Sequence, residues 1–183
     1  MILPIYLYGQ PVLRKTAVEV DLNDATLKTF VADLYETMYN ADGVGLAAPQ
    51  VGKSVRVFVV DSTPYKEIYP DHVPFKGAFI NPTITDRFGQ DVPFAEGCLS
   101  LPKINEEVIR KSDIHITYYD ENGEFHDCDI NGVLARIIQH DYEHLEGKVF
   151  TDNLYQIKKM VLKLPLNDIA GGKVHPAYKT MRR

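Results

Sequence analysis

The sequence predicts an α+β fold, with mostly antiparallel strands around a central helix and further helices toward both ends. Three observations carry this. Leu27, Phe30, Val31, Leu34 and Met38 recur at helical spacing near the N-terminus. Ile114, Ile116 and Tyr118 alternate with polar neighbours ahead of Glu121-Asn122-Gly123-Glu124, whose Asn-Gly pair is a hairpin turn signal. Between Asn131 and Gly147, residues Val133, Ile137, His140 and His144 fall on one helical stripe.

Taken in order, the first helix is expected over about 25–40, with Asn23 or Asp24 as N-cap and Asp42-Gly43 as its stop. The β-branched run Val55–Asp61 is a strand. The hairpin then pairs 114–118 with 124–130. Asn131 can cap the central helix and Gly147 can end it, so that helix carries both histidines on its apolar side. A last amphipathic segment, Ile157, Met160, Val161 and Leu164, is expected to stop before Pro165. After it, Gly171-Gly172 and the basic end read as poorly ordered. This gives a single domain over 1–164 and a basic, flexible tail over 165–183.

At 183 residues with 45% hydrophobic composition, the chain is long enough for one core without covalent staples. Its two cysteines, Cys98 and Cys128, exclude a disulfide scaffold and point to a reducing, cytoplasmic setting. The opening residues lack the basic and apolar regions of a signal peptide, and no apolar run reaches membrane-spanning length. The net charge of −5 hides an asymmetry. From Tyr155 onward, Lys158, Lys159, Lys163, Lys173, Lys179, Arg182 and Arg183 face one acid, Asp168, giving that end a net charge of +6 and residues 1–154 one of −11. DNA binding and membrane association are therefore not expected of the acidic body, while the tail suits an anionic surface.

Three segments bear chemistry. His140 and His144 stand four apart on a helix, so both rings can reach one metal ion, and Asp141 and Glu143 between them offer carboxylates for proton transfer. In Glu96-Gly97-Cys98-Leu99-Ser100, a thiolate follows a glycine, and one thiolate with two imidazoles leaves a fourth position open for water. In Gly43-Val44-Gly45-Leu46-Ala47-Ala48-Pro49-Gln50, two glycines allow close backbone approach, and the Gln50 amide can donate to a developing oxyanion. On the residues alone, a metal hydrolase, a thiol hydrolase using Cys98 with His140, and a structural metal module all stay open. For the last of these, His115 or His126 would supply a fourth ligand.

Together the three segments resemble the signatures of the peptide deformylases: Gly-x-Gly-Leu-Ala-Ala-x-Gln, Glu-Gly-Cys-Leu-Ser and Gln-His-Glu-x-x-His, in that order. The resemblance implies that Cys98, His140 and His144 hold one divalent metal, natively Fe(II), with Zn(II), Ni(II) or Co(II) in some preparations. It further implies attack of a metal-bound hydroxide on the formyl carbon of an N-formylmethionyl peptide, releasing formate. Gln50 and the Leu99 N–H would be the oxyanion donors. Val44, Gly45 and Gly97 would align the peptide, and Val44, Phe94, Val133 and Ile137 would receive the methionine side chain. Some bacterial members dock on the ribosome through a C-terminal segment, which the basic end here suits.

The third signature differs in its acids. Asp141 stands directly after His140 and Glu143 directly before His144, where the family has Glu first and Asp third. Side chains lean toward the helix N-terminus, which distinguishes the two acids, and by the resemblance the acid after the first histidine, Asp141, takes the place of the family's general acid/base. It is one methylene shorter, and a shift of about 1 Å at a reacting group can cost about 100-fold. A non-catalytic member is the competing expectation.

Overall fold

The computed structural model describes residues 1–181. Its helices are α1 (Leu27–Asn40), α2 (Gly132–Leu145) and α3 (Gln156–Ala170). Its strands are β1 (Gly45–Ala47), β2 (Val57–Asp61), β3 (Lys76–Cys98), β4 (Leu101–Tyr119) and β5 (Phe125–Asn131). The strands form one sheet in sequence order, each antiparallel to the next. This is the α+β architecture the sequence predicts.

Period-two alternation decides which helix covers which face of the sheet. Phe58, Val60 and Phe79 point into a cluster with Ala135, Ile138, Tyr142 and Leu145 of α2. Their neighbours Val57, Val59, Ala78 and Ile80 point the other way, onto Phe30, Val31, Leu34 and Met38 of α1. The sheet is thus sandwiched where β2 crosses it, with α2 on the face presented by Phe58, Val60 and Phe79. Gly147 ends α2 in the left-handed region at φ 74°, where a Cβ would meet the Arg14 carbonyl oxygen at 2.7 Å.

β3 and β4 are long and meet in a two-residue turn, Leu99-Ser100, between the paired Cys98 and Leu101. Just before it, the register jumps from Gly97↔Asn105 to Cys98↔Leu101, so Pro102, Lys103 and Ile104 bulge outward. The bulge opens the sheet beside Cys98 and supplies one wall of a cleft.

Two expectations at the C-terminal end are corrected. α3 does not stop before Pro165 but runs through it to Ala170. Pro165 lies on the exposed side, where a carbonyl that loses its partner can turn to water, while Leu162, Leu166 and Ile169 bury a continuous face across the proline. The stripe Ile157, Met160, Val161 and Leu164 is not the core face; these residues are 68–73% exposed. The tail is not loose over its described part. Ile5 N–H donates to the Lys179 carbonyl and Met181 N–H donates to that of Ile5, pairing the two ends of the chain in parallel. Val174 and Tyr178 pack against the third apolar cluster, around Leu101, Phe150 and Leu162. The basic pair Arg182 and Arg183 lies outside the described residues. Among the described residues no helix is long and apolar enough to cross a membrane.

Candidate active site

The first signature follows α1, so the chain leaves that helix at Asp42, enters edge strand β1 and turns back at Ala48–Val51. That turn buries Gln50 to 2% exposure. Its Oε1 accepts from the Ala47 N–H at 2.9 Å, which fixes the amide flip and aims Nε2 at Ser100 Oγ (3.1 Å) and Cys98 Sγ (3.5 Å). Cys98 ends β3 at the tight turn, and Sγ lies 3.4 Å from His144 Nε2. His140 sits one turn earlier on α2, with its ring 5.3 Å from that of His144, centroid to centroid.

One ligand atom from each of Cys98, His140 and His144 falls within 4.8 Å of the others. His140 gives its Nδ1 to Glu96 Oε1 at 2.9 Å, leaving Nε2 for coordination. His144 directs Nε2 toward the thiol, and its buried Nδ1 has no hydrogen-bond partner among the described residues. A thiolate and two imidazoles converging on one point fit a divalent transition metal, with the fourth direction open to the cleft. His115 and His126 do not approach this point: His115 is held between Asp127 and Asp129, and His126 by Asp120.

The cleft has a volume of about 500 Å³. Val44, Gly45, Gln50, Phe94, Gly97, Cys98, Leu99, Ile137, His140 and Asp141 all line it, as their pattern in the sequence suggests. Val133 does not; it is half-buried against the apolar cluster that holds Ala135, Ile138 and Tyr142. His144 is buried beneath the cleft floor at 1% exposure. Asp141 reaches the cleft at 3% exposure, its Oδ2 has no hydrogen-bond partner among the described residues, and burial pushes its carboxyl up to about 7. Gly45 makes room for it: a Cβ there would lie 1.9 Å from Asp141 Oδ2.

The two carboxylates of α2 have separate environments. Glu143 points away from the cleft, accepting from Arg110 Nη1 at 2.7 Å and from Asn153 Nδ2 at 2.9 Å. Arg110 in turn donates to Glu96 at 2.7 and 2.9 Å, and Arg136 donates to Glu96 at 2.9 Å. Burial alone would raise the Glu96 carboxyl, but hydrogen bonds from His140 and Arg110 outweigh it and hold the group well below the usual carboxylate range. Sequence reasoning noted Glu96 only as part of a motif and missed Arg110 and Arg136. For Arg136 the available signal was a lone cation inside the apolar run Leu134–Ile138; Arg110, beside Lys111, carried none. Tyr65, Pro176 and Tyr178, which also line the cleft, carried no local signal.

Comparison with known proteins agrees with this geometry. The family model for polypeptide deformylase matches residues 2–160. A peptide deformylase of Flavobacterium psychrophilum is 46% identical over 98% of this chain and 96% of its own. That of Christiangramia forsetii is 44% identical over 98% and 95%. Among solved structures, the peptide deformylase of Ehrlichia chaffeensis in complex with actinonin superposes with a TM-score of 0.83 at 31% identity, covering 95% of this chain and 99% of that one. The Thermus thermophilus enzyme gives 0.80 at 38% identity, over 94% and 99%. The likeness to peptide deformylases runs along nearly the whole chain, and the chain belongs to the polypeptide deformylase family.

Proposed function

We propose that the chain hydrolyses the formyl amide of N-formylmethionyl nascent peptides, with Cys98, His140 and His144 holding a single Fe(II) ion and Asp141 moving the proton. The convergence of those three ligands beside a buried, unpartnered carboxylate carries the reading. When bound, the ion would polarise the formyl oxygen and lower the pKa of a water molecule. The chain's own residues do the rest. Asp141 accepts a proton from the attacking water and delivers it to the leaving amine. Gln50 Nε2 and the Leu99 N–H donate to the oxygen on which negative charge develops. The Leu99 N–H is free of ladder duty, since pairing passes from Cys98 directly to Leu101.

The peptide backbone fits between the outer edge of β1, at Val44 and Gly45, and the 94–97 segment, as an added strand. The methionine side chain occupies the apolar part of the cleft formed by Val44, Phe94 and Ile137, with Tyr65 completing it in place of Val133. The likeness to peptide deformylases along nearly the whole chain supports a catalytic role over a non-catalytic one.

The test is a formyl-Met-peptide assay prepared without oxygen. Chelation is expected to abolish turnover, and Fe(II), Co(II) or Ni(II) to restore it; chelator-insensitive turnover would instead make Cys98 the nucleophile.

For partners, the reading extends to the ribosome. The exposed stripe Ile157, Met160, Val161 and Leu164 is flanked by Lys159 and Lys163, a combination suited to an RNA-protein surface close to emerging chains in the cytoplasm. Co-sedimentation with ribosomes should weaken as salt rises and be lost on Lys159→Glu/Lys163→Glu substitution; unchanged binding removes this partner.

A further inference from the structure

The family match ends at residue 160, yet the chain continues to form part of the cleft wall. After α3 it returns, pairs with Ile5 at positions 179–181, and sets Pro176 and Tyr178 against the cleft. The Tyr178 hydroxyl donates to the Leu99 carbonyl at 2.5 Å. Its ring packs in the same cluster as Cys98 and Leu99.

The placement of that hydrogen bond matters. Leu99 is the first residue of a two-residue turn, and its carbonyl, like its N–H, lies outside the sheet ladder. A turn of this size has few contacts to define the Leu99 peptide planes. Tyr178 fixes one of them, on the carbonyl side, and thereby restricts the orientation of the adjoining plane that carries the N–H. The Tyr8 N–H holds the other half of the turn by donating to the Ser100 carbonyl at 2.8 Å. The Tyr6 N–H donates to the Gln50 carbonyl at 2.7 Å, so the N-terminal segment that anchors the returning tail also braces the second donor. The tail, the first eight residues and the two oxyanion donors are one connected unit.

We infer that Tyr178 is a positioning residue for deformylation, its hydroxyl holding the Leu99 turn so that the Leu99 N–H meets the developing oxyanion. The inference rests on the assignment of Leu99 as an oxyanion donor. Because donor placement counts chiefly in the transition state, loss of the hydroxyl should appear in kcat and not in KM.

The experiment is Tyr178→Phe in the full chain loaded with Co(II), with a short formyl-Met-Ala substrate. Removing one oxygen leaves the ring packing intact, so folding is not at issue. The expected result is a fall in kcat of about tenfold, less than the full loss of one oxyanion donor, with KM changed by less than about twofold. Cobalt content and the visible spectrum of the thiolate-ligated ion should match the parent. A kcat within about twofold of the parent would overturn the inference, as would a fall in kcat that tracks loss of cobalt, since the effect would then run through the metal ligands. An inactive parent would sink the deformylase reading itself, whereas an active parent with an unaffected Tyr178→Phe variant would sink only the role of Tyr178.

Discussion

Asp141→Asn is expected to lower kcat by about 10³-fold or more while the bound metal is retained, the upper part of the range for losing a general acid/base. The side chain is nearly inaccessible, and Oδ2 has no hydrogen-bond partner among the described residues, so the carboxylate is not holding the fold together. Its raised proton affinity comes first from burial, which favours a group able to take up and give back a proton. Asn preserves volume and shape, and none of the metal ligands is touched. Glu143→Ala should behave in the opposite way and keep most of the activity, because Glu143 faces Arg110 and Asn153, and Arg110 still has Glu96. Steady-state kinetics with metal analysis on both variants distinguishes the roles; an inactive Glu143→Ala beside an active Asp141→Asn would reverse the assignment.

The exchange of acids on α2 gains a physical account from these environments. A shorter side chain at 141 still reaches the cleft because β1 approaches it with a glycine, whose missing Cβ leaves the space Oδ2 fills. A longer one at 143 spans to Arg110 with two contacts, at 2.7 and 3.2 Å. The helix therefore keeps one carboxylate for the cleft and one for the salt-bridge network with their lengths interchanged.

The convergence of Cys98, His140, His144 and Gln50 on one cleft was legible in the sequence because each belongs to a short contiguous motif: Cys98 with Leu99, His140 with His144, and Gln50 after two glycines. The β4–β5 hairpin and the ends of α2 were legible for the same reason, their turn and stop residues being local. What could not be read is whatever depends on distant partners. Glu96 meets Arg110, Arg136 and His140 across 14, 40 and 44 residues of sequence. The two apolar stripes of α3 differ only in which one the rest of the molecule happens to cover. Pro165 was a sound local reason to end that helix, and tertiary burial of Leu162, Leu166 and Ile169 overrode it. The ordering of residues 174–181 depends on an edge at Ile5 that lies at the other end of the chain.

Glu96 is the residue on which loss should fall hardest outside the cleft chemistry. It accepts four hydrogen bonds, two from Arg110, one from Arg136 and one from His140, all within 2.9 Å. 

Oε2 accepts from Arg110 Nε at 2.7 Å and from Arg136 Nη1 at 2.9 Å, and Oε1 accepts from Arg110 Nη2 and His140 Nδ1, each at 2.9 Å. Glu96→Ala removes all four at once. Arg110 keeps Glu143, but Arg136 is left with only the carbonyls of Val108 and Val92, and burial already pulls its guanidinium below the ordinary value even with Glu96 in place. Stranding a buried charge in this way costs about 3–5 kcal/mol. For a chain of this size each kcal/mol moves Tm by about 2–4 °C, so a fall of about 10 °C is expected in thermal denaturation. His140 also loses the partner that fixes its ring and tautomer, and losing such a partner typically weakens metal affinity by about 10- to 100-fold. Glu96→Gln separates the two effects, since an amide oxygen can still accept from His140 while the negative charge facing the two arginines is gone. It should therefore recover much of the metal affinity and less of the stability. A Glu96→Ala protein that melts within about 2 °C of the parent and holds its metal as tightly would show that Arg110 and Arg136 find other partners and that His140 needs no support.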